Sequence, residues 1–135
     1  MPYAVQTFAR LKKAGLRVIL DTGFSRPIVD TILARLGWRN SALIDATVAS
    51  DEVPRGRPHP DLVMKAMELA GVRQSQAVAK IGDTPSDLEE GLAAGCGFVI
   101  GVTNGSHTAA QLQPYHHTHL IANLGELPAI LLNGE

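Results

Sequence analysis

Residues 78–89, which read Val-Ala-Lys-Ile-Gly-Asp-Thr-Pro-Ser-Asp-Leu-Glu, constrain the fold of this chain more than any other stretch. A short apolar run ends at Gly-Asp, and Thr-Pro-Ser-Asp then opens an amphipathic segment. This pattern predicts a buried strand that turns directly into a helix, with Thr84 at the N-cap, Pro85 at the first helical position and Asp87 at the third. Asp83 and Asp87 would then face one crevice. Two such carboxylates can bind Mg²⁺, or they can simply cap and charge the start of the helix.

The remainder of the chain alternates between strand-like and helix-like segments joined by short loops. This alternation predicts one α/β domain over residues 1–135 with a mostly parallel sheet, whose ligand crevice lies at the carboxyl ends of the strands. The predicted strands cover residues 16–20, 43–49, 77–82, 97–102 and 118–121, and the predicted helices cover 3–14, 27–36, 60–70, 85–94, 107–113 and 124–132.

Composition excludes several classes of function. A net charge of −1 over 135 residues gives no electrostatic footprint for nucleic acid or an anionic membrane. No apolar run is long enough to cross a bilayer, and the first residues lack a signal-peptide pattern. Cys96 is the only cysteine, so no disulfide can form within the chain. These features favour a cytoplasmic location.

Chemically useful residues follow three of the predicted strands. Thr22 and Gly23 come after the first strand, where a hydroxyl and backbone N–H groups can bind phosphate. Arg57 follows the second strand in a loop rich in proline and glycine, and its guanidinium can bind phosphate oxygens with two hydrogen bonds. Asp83 and Asp87 follow the third strand. Each feature alone is weak, and their order along the chain is the specific signal.

That order resembles the haloacid dehalogenase-like hydrolase superfamily, and most closely its phosphonatase-like branch. The resemblance implies a Rossmann-like three-layer α/β/α sandwich. It also implies Mg²⁺-dependent hydrolysis of a small phosphorylated or phosphonate substrate through an aspartyl intermediate. The stretches that carry the resemblance are residues 20–24, 51–53 with 56–58, 82–88 and 101–105.

The resemblance also implies roles for individual residues. Thr22 would hydrogen-bond the phosphoryl group, with Gly23 beside it, and Arg57 would take the basic role that is Lys in many relatives. Thr22 and Arg57 are therefore the expected catalytic residues. Asp83 and Asp87 would be the acidic residues that help to anchor Mg²⁺.

The sequence departs from the family at one important point. Relatives begin with a strand that ends in Asp-x-Asp or Asp-x-Ala, whose first Asp is the nucleophile, and this chain has no such strand. Asp21 does not replace it, because no carboxylate or alanine stands two residues later. We therefore expect a core that is incomplete at its N-terminus and lacks the cap domain. Such a core would bind Mg²⁺ weakly or not at all, and it would be inactive or weakly active alone.

In the family, the missing strand lies mid-sheet, between the strands that lead to Thr22 and Asp83. The gap would be closed by direct pairing of those two strands or by another chain, which predicts either a homodimer or a complementing N-terminal segment. The alternative function is a non-catalytic phosphate-binding or protein-interaction domain of the same fold. Lys80 is expected to extend from the sheet to solvent, with no catalytic role. His117 and His119 could share one strand face and bind a metal, although an exposed loop is favoured.

Overall fold

The computed structural model describes residues 3–38 and 41–133. Helices and strands alternate along these residues, as the sequence pattern predicts, and β1 and β2 are shorter than expected. Short 3₁₀ turns cover Ser50–Glu52, Ser75–Ala77 and Leu124–Glu126. The strands are β1 (Ile19–Asp21), β2 (Ala46–Val48), β3 (Ala79–Gly82), β4 (Phe98–Val102) and β5 (His119–Ile121), and the helices are α1 (Ala4–Lys13), α2 (Arg26–Leu36), α3 (Asp61–Ala70), α4 (Pro85–Ala94), α5 (Ala109–Leu112) and α6 (Leu127–Asn133).

The five strands form two separate parallel sheets. In the first, β1 pairs with β2, and Leu20 lies opposite Thr47. In the second, β4 lies between β3 and β5, with Ile81 opposite Ile100. Within the described residues no ladder joins β1 to β3. Direct pairing of these two strands, one of the two expectations from the sequence, is therefore not what the structure contains.

Helices cover both faces of the sheets, which gives the expected three-layer α/β/α sandwich. The main core lies between β4, β5 and the helices α1 and α6. A smaller core joins Val29 and Leu33 of α2 to Leu20 of β1. On the opposite face, α3 packs against β1 and β2 while α4 packs against β3 and β4.

Local signals in the sequence explain how the helix beside the predicted crevice is bounded. The Thr84 side chain accepts a hydrogen bond from the Asp87 N–H, and the Asp87 side chain accepts one from the Thr84 N–H, which forms a capping box with Pro85 at the first helical position. Gly95 ends α4 at a φ of 74°, a conformation that glycine adopts without steric penalty. Among the described helices, none is long and apolar enough to cross a membrane.

Candidate active site

The Asp87 carboxylate is the centre of the candidate site. It is almost fully buried and accepts hydrogen bonds from the Thr84 N–H at 3.1 Å and the Thr84 hydroxyl at 2.8 Å. It also lies so close to the end of β3 that a Cβ at Gly82 would collide with it. The capping box and the missing side chain at Gly82 together fix this carboxylate at the carboxyl end of β3.

Arg57 joins the two sheets at this point. Its Nη1 donates to Asp87 Oδ1 at 2.7 Å, and its Nη2 would lie 3.1 Å from a Cβ placed on Gly23. The guanidinium therefore crosses from the loop after β1 to the first turn of α4. The structure thus brings together Gly23, Arg57 and Asp87, which the sequence analysis placed at three separate strand ends.

Thr22 lies at the end of β1, as expected, but its backbone N–H is already used. That N–H donates to the Val48 carbonyl at 3.1 Å, and the Thr22 hydroxyl accepts from the Phe24 N–H at 3.2 Å. Because the N–H of Thr22 is bonded to β2, the phosphate-binding capacity of this residue lies in its hydroxyl proton. The backbone N–H groups of Thr22 and Phe24 are thus both bonded within the protein.

Asp83 is held by a loop that follows β4. The Ser106 N–H donates to Asp83 Oδ2 at 3.1 Å, and the Ser106 hydroxyl donates to the Asp83 carbonyl at 3.3 Å. A Cβ at Gly105 would collide with the Asp83 side chain, so this loop packs tightly on it. Residues 104–107 carry a turn signal and resemble a family loop beside the site, but nothing in the sequence pointed to this contact with Asp83.

The two acidic residues fit a bound metal only in part. Asp83 offers a carboxylate oxygen that no described group contacts in a hydrogen bond, whereas both oxygens of Asp87 are engaged by Thr84 and Arg57. In residues 3–38 and 41–133, no three His, Cys, Asp or Glu side chains come together as a metal site. The described residues thus offer at most these two carboxylates as candidate Mg²⁺ ligands, fewer than the ion needs.

Lys80 corrects a prediction made from the sequence. Its side chain does not reach solvent, since it is only 7% exposed. The Nζ atom lies 2.6 Å from Asp21 Oδ1, 2.6 Å from Glu90 Oε1 and 3.5 Å from Asp87 Oδ1. Lys80 extends across the space between β3 and β1, because three carboxylates there outweigh the attraction of water.

Burial and charge together set the pKa values in this cluster. Burial lowers the pKa of Lys80, but Asp21, Glu90 and Asp87 outweigh burial and hold that pKa above its usual value. Burial likewise raises the pKa of Asp87, and the cations Lys80 and Arg57 outweigh it, so the pKa of Asp87 is lowered. Both groups therefore stay charged at neutral pH.

Glu90 behaves in the opposite way. It is 0% exposed, and neither of its oxygens has hydrogen-bond geometry with a described neighbour, although Lys80 is within ion-pair distance. Burial, reinforced by the Asp21 carboxylate, raises the pKa of Glu90 to about 8 despite Lys80. Glu90 therefore binds a proton more readily than an ordinary carboxylate does, because burial disfavours its charged form.

Sequence reasoning missed Glu90 and the inward position of Lys80. A lysine within an apolar strand was one available signal. The other was a glutamate one helical turn after Asp87, which places it on the face of α4 that packs on β3. His117 and His119 do not form a metal site with described residues; their Nδ1 atoms lie 2.8 Å from the Tyr115 carbonyl and 3.0 Å from Thr118 Oγ1.

Comparisons with known proteins identify relatives of this chain. The chain is 39% identical over 102 residues to the phosphonoacetaldehyde hydrolase of Bacillus thuringiensis (strain Al Hakam), covering 75% of this chain and 38% of that protein. It is 37% identical over 107 residues to the phosphonoacetaldehyde hydrolase of Hahella chejuensis, covering 76% of this chain and 34% of that protein. The chain thus spans less than half the length of these relatives.

A solved structure shares the fold. The haloacid dehalogenase family hydrolase of Deinococcus radiodurans, determined with bound phosphate and sodium, matches with a TM-score of 0.84 and 26% identity over 98% of this chain and 59% of that one. The family model described as haloacid dehalogenase-like hydrolase matches residues 1–95. This chain therefore belongs to the haloacid dehalogenase-like hydrolase family.

Proposed function

We propose that this chain is the core domain of a phosphatase- or phosphonatase-type hydrolase that acts on a small phosphorylated or phosphonate substrate. The observation that carries the proposal is the position of Arg57, which lies over Gly23 and binds Asp87 at 2.7 Å. One guanidinium thereby links the loop after β1 to the acidic residues after β3. A cation held in this way can bind the oxygens of a phosphoryl group.

The residues of the site have distinct roles in this proposal. The Thr22 hydroxyl and the Arg57 guanidinium bind phosphoryl oxygens, and they are the proposed catalytic residues. Asp87 orients Arg57 and keeps it charged, because the attraction of this carboxylate outweighs the effect of burial and raises the pKa of Arg57. Asp83 and Asp87 would hold Mg²⁺, which when bound neutralises charge on the phosphoryl group.

We further propose that residues 1–135 form one core domain and that their own side chains do not supply a catalytic nucleophile. The sequence contains no Asp-x-Asp or Asp-x-Ala motif. Asp21, the carboxylate at the end of β1, is tied to Lys80 at 2.6 Å and is only 12% exposed, so it is poorly placed to attack a substrate. We propose that a second copy or a complementing segment supplies the nucleophilic carboxylate. A cytoplasmic location fits the single cysteine.

Binding of inorganic phosphate tests the proposed site directly. Phosphorus NMR line broadening of phosphate would be followed with and without Mg²⁺, using the chain and two variants. Arg57→Ala should remove the broadening. Arg55→Ala should leave it unchanged, because Arg55 lies in the same loop but pairs with Asp61 and is 60% exposed. Absence of phosphate binding by the unaltered chain would overturn the proposal.

Hydrolysis of p-nitrophenyl phosphate tests incompleteness. We expect no more than trace turnover with Mg²⁺. Robust turnover that EDTA and Asp83→Ala both abolish would show that the chain contains a nucleophile after all. The alternative, a non-catalytic phosphate-binding or interaction domain, is favoured by the engagement of both Asp87 oxygens. It would be supported by phosphate binding that is independent of Mg²⁺.

A further inference from the structure

A buried ammonium group lies directly behind the candidate phosphate site. The Nζ atom of Lys80 is 3.5 Å from Asp87 Oδ1, the same oxygen that accepts a hydrogen bond from Arg57 Nη1 at 2.7 Å. One carboxylate oxygen therefore stands between two cations. The Arg57 side chain is 29% exposed and that of Lys80 only 7%, so an anion from solution can reach the first cation but not the second.

Lys80 and Arg57 interact with the same three carboxylates. Burial lowers the pKa of both cations, but Asp21, Asp87 and Glu90 outweigh burial and raise both pKa values. These three carboxylates are thus close enough to Arg57 to act on its charge. An anion bound to Arg57 would be repelled by the same carboxylates, because it carries the same sign of charge.

The position of Lys80 offsets that repulsion at its source. Its Nζ atom lies 2.6 Å from Asp21 Oδ1 and 2.6 Å from Glu90 Oε1, in a part of the protein that solvent barely reaches. Water and salt screen charges weakly in such surroundings, so the ammonium group neutralises much of the negative charge there. Without Lys80, the three carboxylates would act on Arg57 alone and offset its positive charge.

We propose that Lys80 is a positioning residue of the phosphate site. Its ammonium group attracts Asp87 and neutralises the carboxylates behind it, and so leaves the charge of Arg57 available to a phosphoryl or phosphonyl group. Asp21 and Glu90 hold the ammonium group in this place. The inference rests on the proposed function and deepens it, because it names the buried residue that sets the affinity of this site for an anion.

Two other roles for Lys80 fit less well. A lysine that attacks a carbonyl group has to lose its proton, and the surrounding carboxylates hold the pKa of Lys80 above its usual value despite burial. A purely structural tie between β1 and β3 accounts for the ion pair with Asp21, but it gives no reason for the approach to Asp87. The structural and electrostatic roles predict different results when Asp21 is neutralised.

Asp21→Asn is the sharpest test. It removes one negative charge with little change of shape, and Lys80 keeps Glu90 and Asp87 as partners. A unit charge roughly 10 Å from a bound anion changes the affinity by about tenfold at an effective dielectric constant of about 20. Inorganic phosphate, titrated at pH 7 and low ionic strength and followed by its phosphorus NMR line width, should therefore bind about tenfold more tightly to Asp21→Asn. A purely structural tie predicts weaker or unchanged binding.

Removal of Lys80 should have the opposite effect, and a second charge change should reverse it. Lys80→Met should weaken phosphate binding at least about tenfold. The double variant Lys80→Met with Asp21→Asn loses one charge of each sign, so its affinity should return to within about threefold of the unaltered chain. Circular dichroism would verify that each variant folds. Because Asp21→Asn is predicted to tighten binding, it decides the question even if Lys80→Met does not fold.

Lys12 and Asp45 supply matched control variants. They form a similar ion pair at the other end of β1, where the Asp45 carboxylate also accepts a hydrogen bond from the Val18 N–H. Lys12→Met and Asp45→Asn change the same charges as the test variants at a place far from Arg57. Each should alter phosphate affinity by less than about twofold, because screening by salt and water weakens charge effects with distance.

Two results would overturn the inference alone. One is phosphate binding that Asp21→Asn weakens or leaves unchanged, and the other is a double variant that folds but binds phosphate as weakly as Lys80→Met. In both cases the unaltered chain would still bind phosphate through Arg57, so the proposed function would stand. Absence of phosphate binding by the unaltered chain, or binding that Arg57→Ala does not reduce, would overturn the proposed function and this inference together.

Discussion

The two sheets of this molecule differ in how completely they are buried. Four of the five residues of β4 are buried, and β4 lies at the centre of the larger core. No residue of β1 is fully buried, and the core that joins it to α2 has Val29, Leu33 and Ala49 as its buried members among the described residues. Helix α2, which packs on β1, also exposes Ile28, Ile32 and Leu36. The core beside the sheet of β3, β4 and β5 is therefore larger than the core beside the sheet of β1 and β2.

The difference in burial raises the question of what holds the less buried sheet, β1 and β2, in place; we call it the weaker sheet and the sheet of β3, β4 and β5 the stronger sheet. Side chains, not a β-ladder, connect it to the stronger sheet. Lys80 reaches Asp21, Arg57 joins the loop after β1 to Asp87, and Trp38 stacks edge-on against Phe8 at 5.8 Å. The candidate site is thus built on the same contacts that join the sheets. Stability and site geometry should respond together when these contacts are altered.

The largest expected effect comes from Lys80→Met. This change leaves Asp21, Asp87 and Glu90 buried with one cation fewer, and removing one partner of a buried ion pair costs about 3–5 kcal/mol of unfolding free energy. Urea denaturation followed by Trp38 fluorescence measures the loss. Lys65→Met is the matched control.

Lys65 pairs only loosely with Glu68, at 3.8 Å, and its side chain is 39% exposed, so its replacement should change stability by less than about 0.5 kcal/mol. Equal effects of the two substitutions would contradict the view that Lys80 links the sheets.

A pair of core truncations tests the comparison between the sheets themselves. Ile100→Ala removes a fully buried side chain from β4 and should lower the unfolding free energy by about 3–4 kcal/mol. Leu20→Ala removes a half-buried side chain from β1 and should lower it by about 1–2 kcal/mol. Denaturant titrations of both variants give the two values. If Leu20→Ala proved as destabilising as Ile100→Ala, the two sheets would be equally well packed in solution.

The next largest expected effect is a dependence of stability on pH that is caused by Glu90. Because the pKa of Glu90 is raised to about 8 in the folded protein from an ordinary value of 4.5, folding takes up a proton between these pH values. The stability that protonation of Glu90 supplies is fully present below about pH 4.5 and is lost as the pH rises to about 8. Glu90→Gln removes this dependence.

Thermal unfolding at pH 5 and pH 8 measures the effect. The stability of Glu90→Gln relative to the unaltered chain should rise by at least about 1.4 kcal/mol between these two pH values. Glu89→Gln replaces the adjacent, exposed carboxylate and serves as the control. A constant difference across this pH range would mean that Glu90 stays ionised beside Lys80.

The sequence alone predicted those features of the structure that depend on residues close together in the chain. The alternation of strands and helices, the capping box of Thr84 and Asp87 and the strand-end positions of Thr22, Arg57 and Asp83 all follow from local patterns. Contacts between distant residues were not predictable in this way. Arg57 and Asp87 are 30 positions apart and Lys80 and Asp21 are 59 apart, and both pairings depend on how the two sheets are placed.

Lys80 illustrates the physical limit most clearly. From the sequence, a lysine in a core strand is expected to extend to water, because burying an unpaired charge is expensive. The expectation fails because the folded chain places three carboxylates around the ammonium group, and none of them is adjacent to Lys80 in sequence. The absence of a ladder between β1 and β3 was likewise one of two alternatives that only the structure could separate.

The smallest expected effect comes from removing the N-cap side chains of α4 and α2, the helices that follow β3 and β1. Thr84 caps α4 through its side chain, whereas Ser25, the N-cap of α2, makes no side-chain capping hydrogen bond. Thr84→Ala should therefore lower the unfolding free energy by about 1 kcal/mol, and Ser25→Ala should change it by only a few tenths of a kcal/mol. Denaturation midpoints at equal slope give both values.

Thr84→Ala also removes the hydroxyl that donates to Asp87 at 2.8 Å, so it should disturb the candidate site as well as the helix. Phosphate broadening measured on the same two variants would show this, with a weaker signal for Thr84→Ala and no change for Ser25→Ala. Equal stabilities but unequal phosphate binding would assign Thr84 to the site alone. If Thr84→Ala and Ser25→Ala had equal stabilities and equal phosphate broadening, the Thr84 cap would contribute no more to α4 than Ser25 contributes to α2.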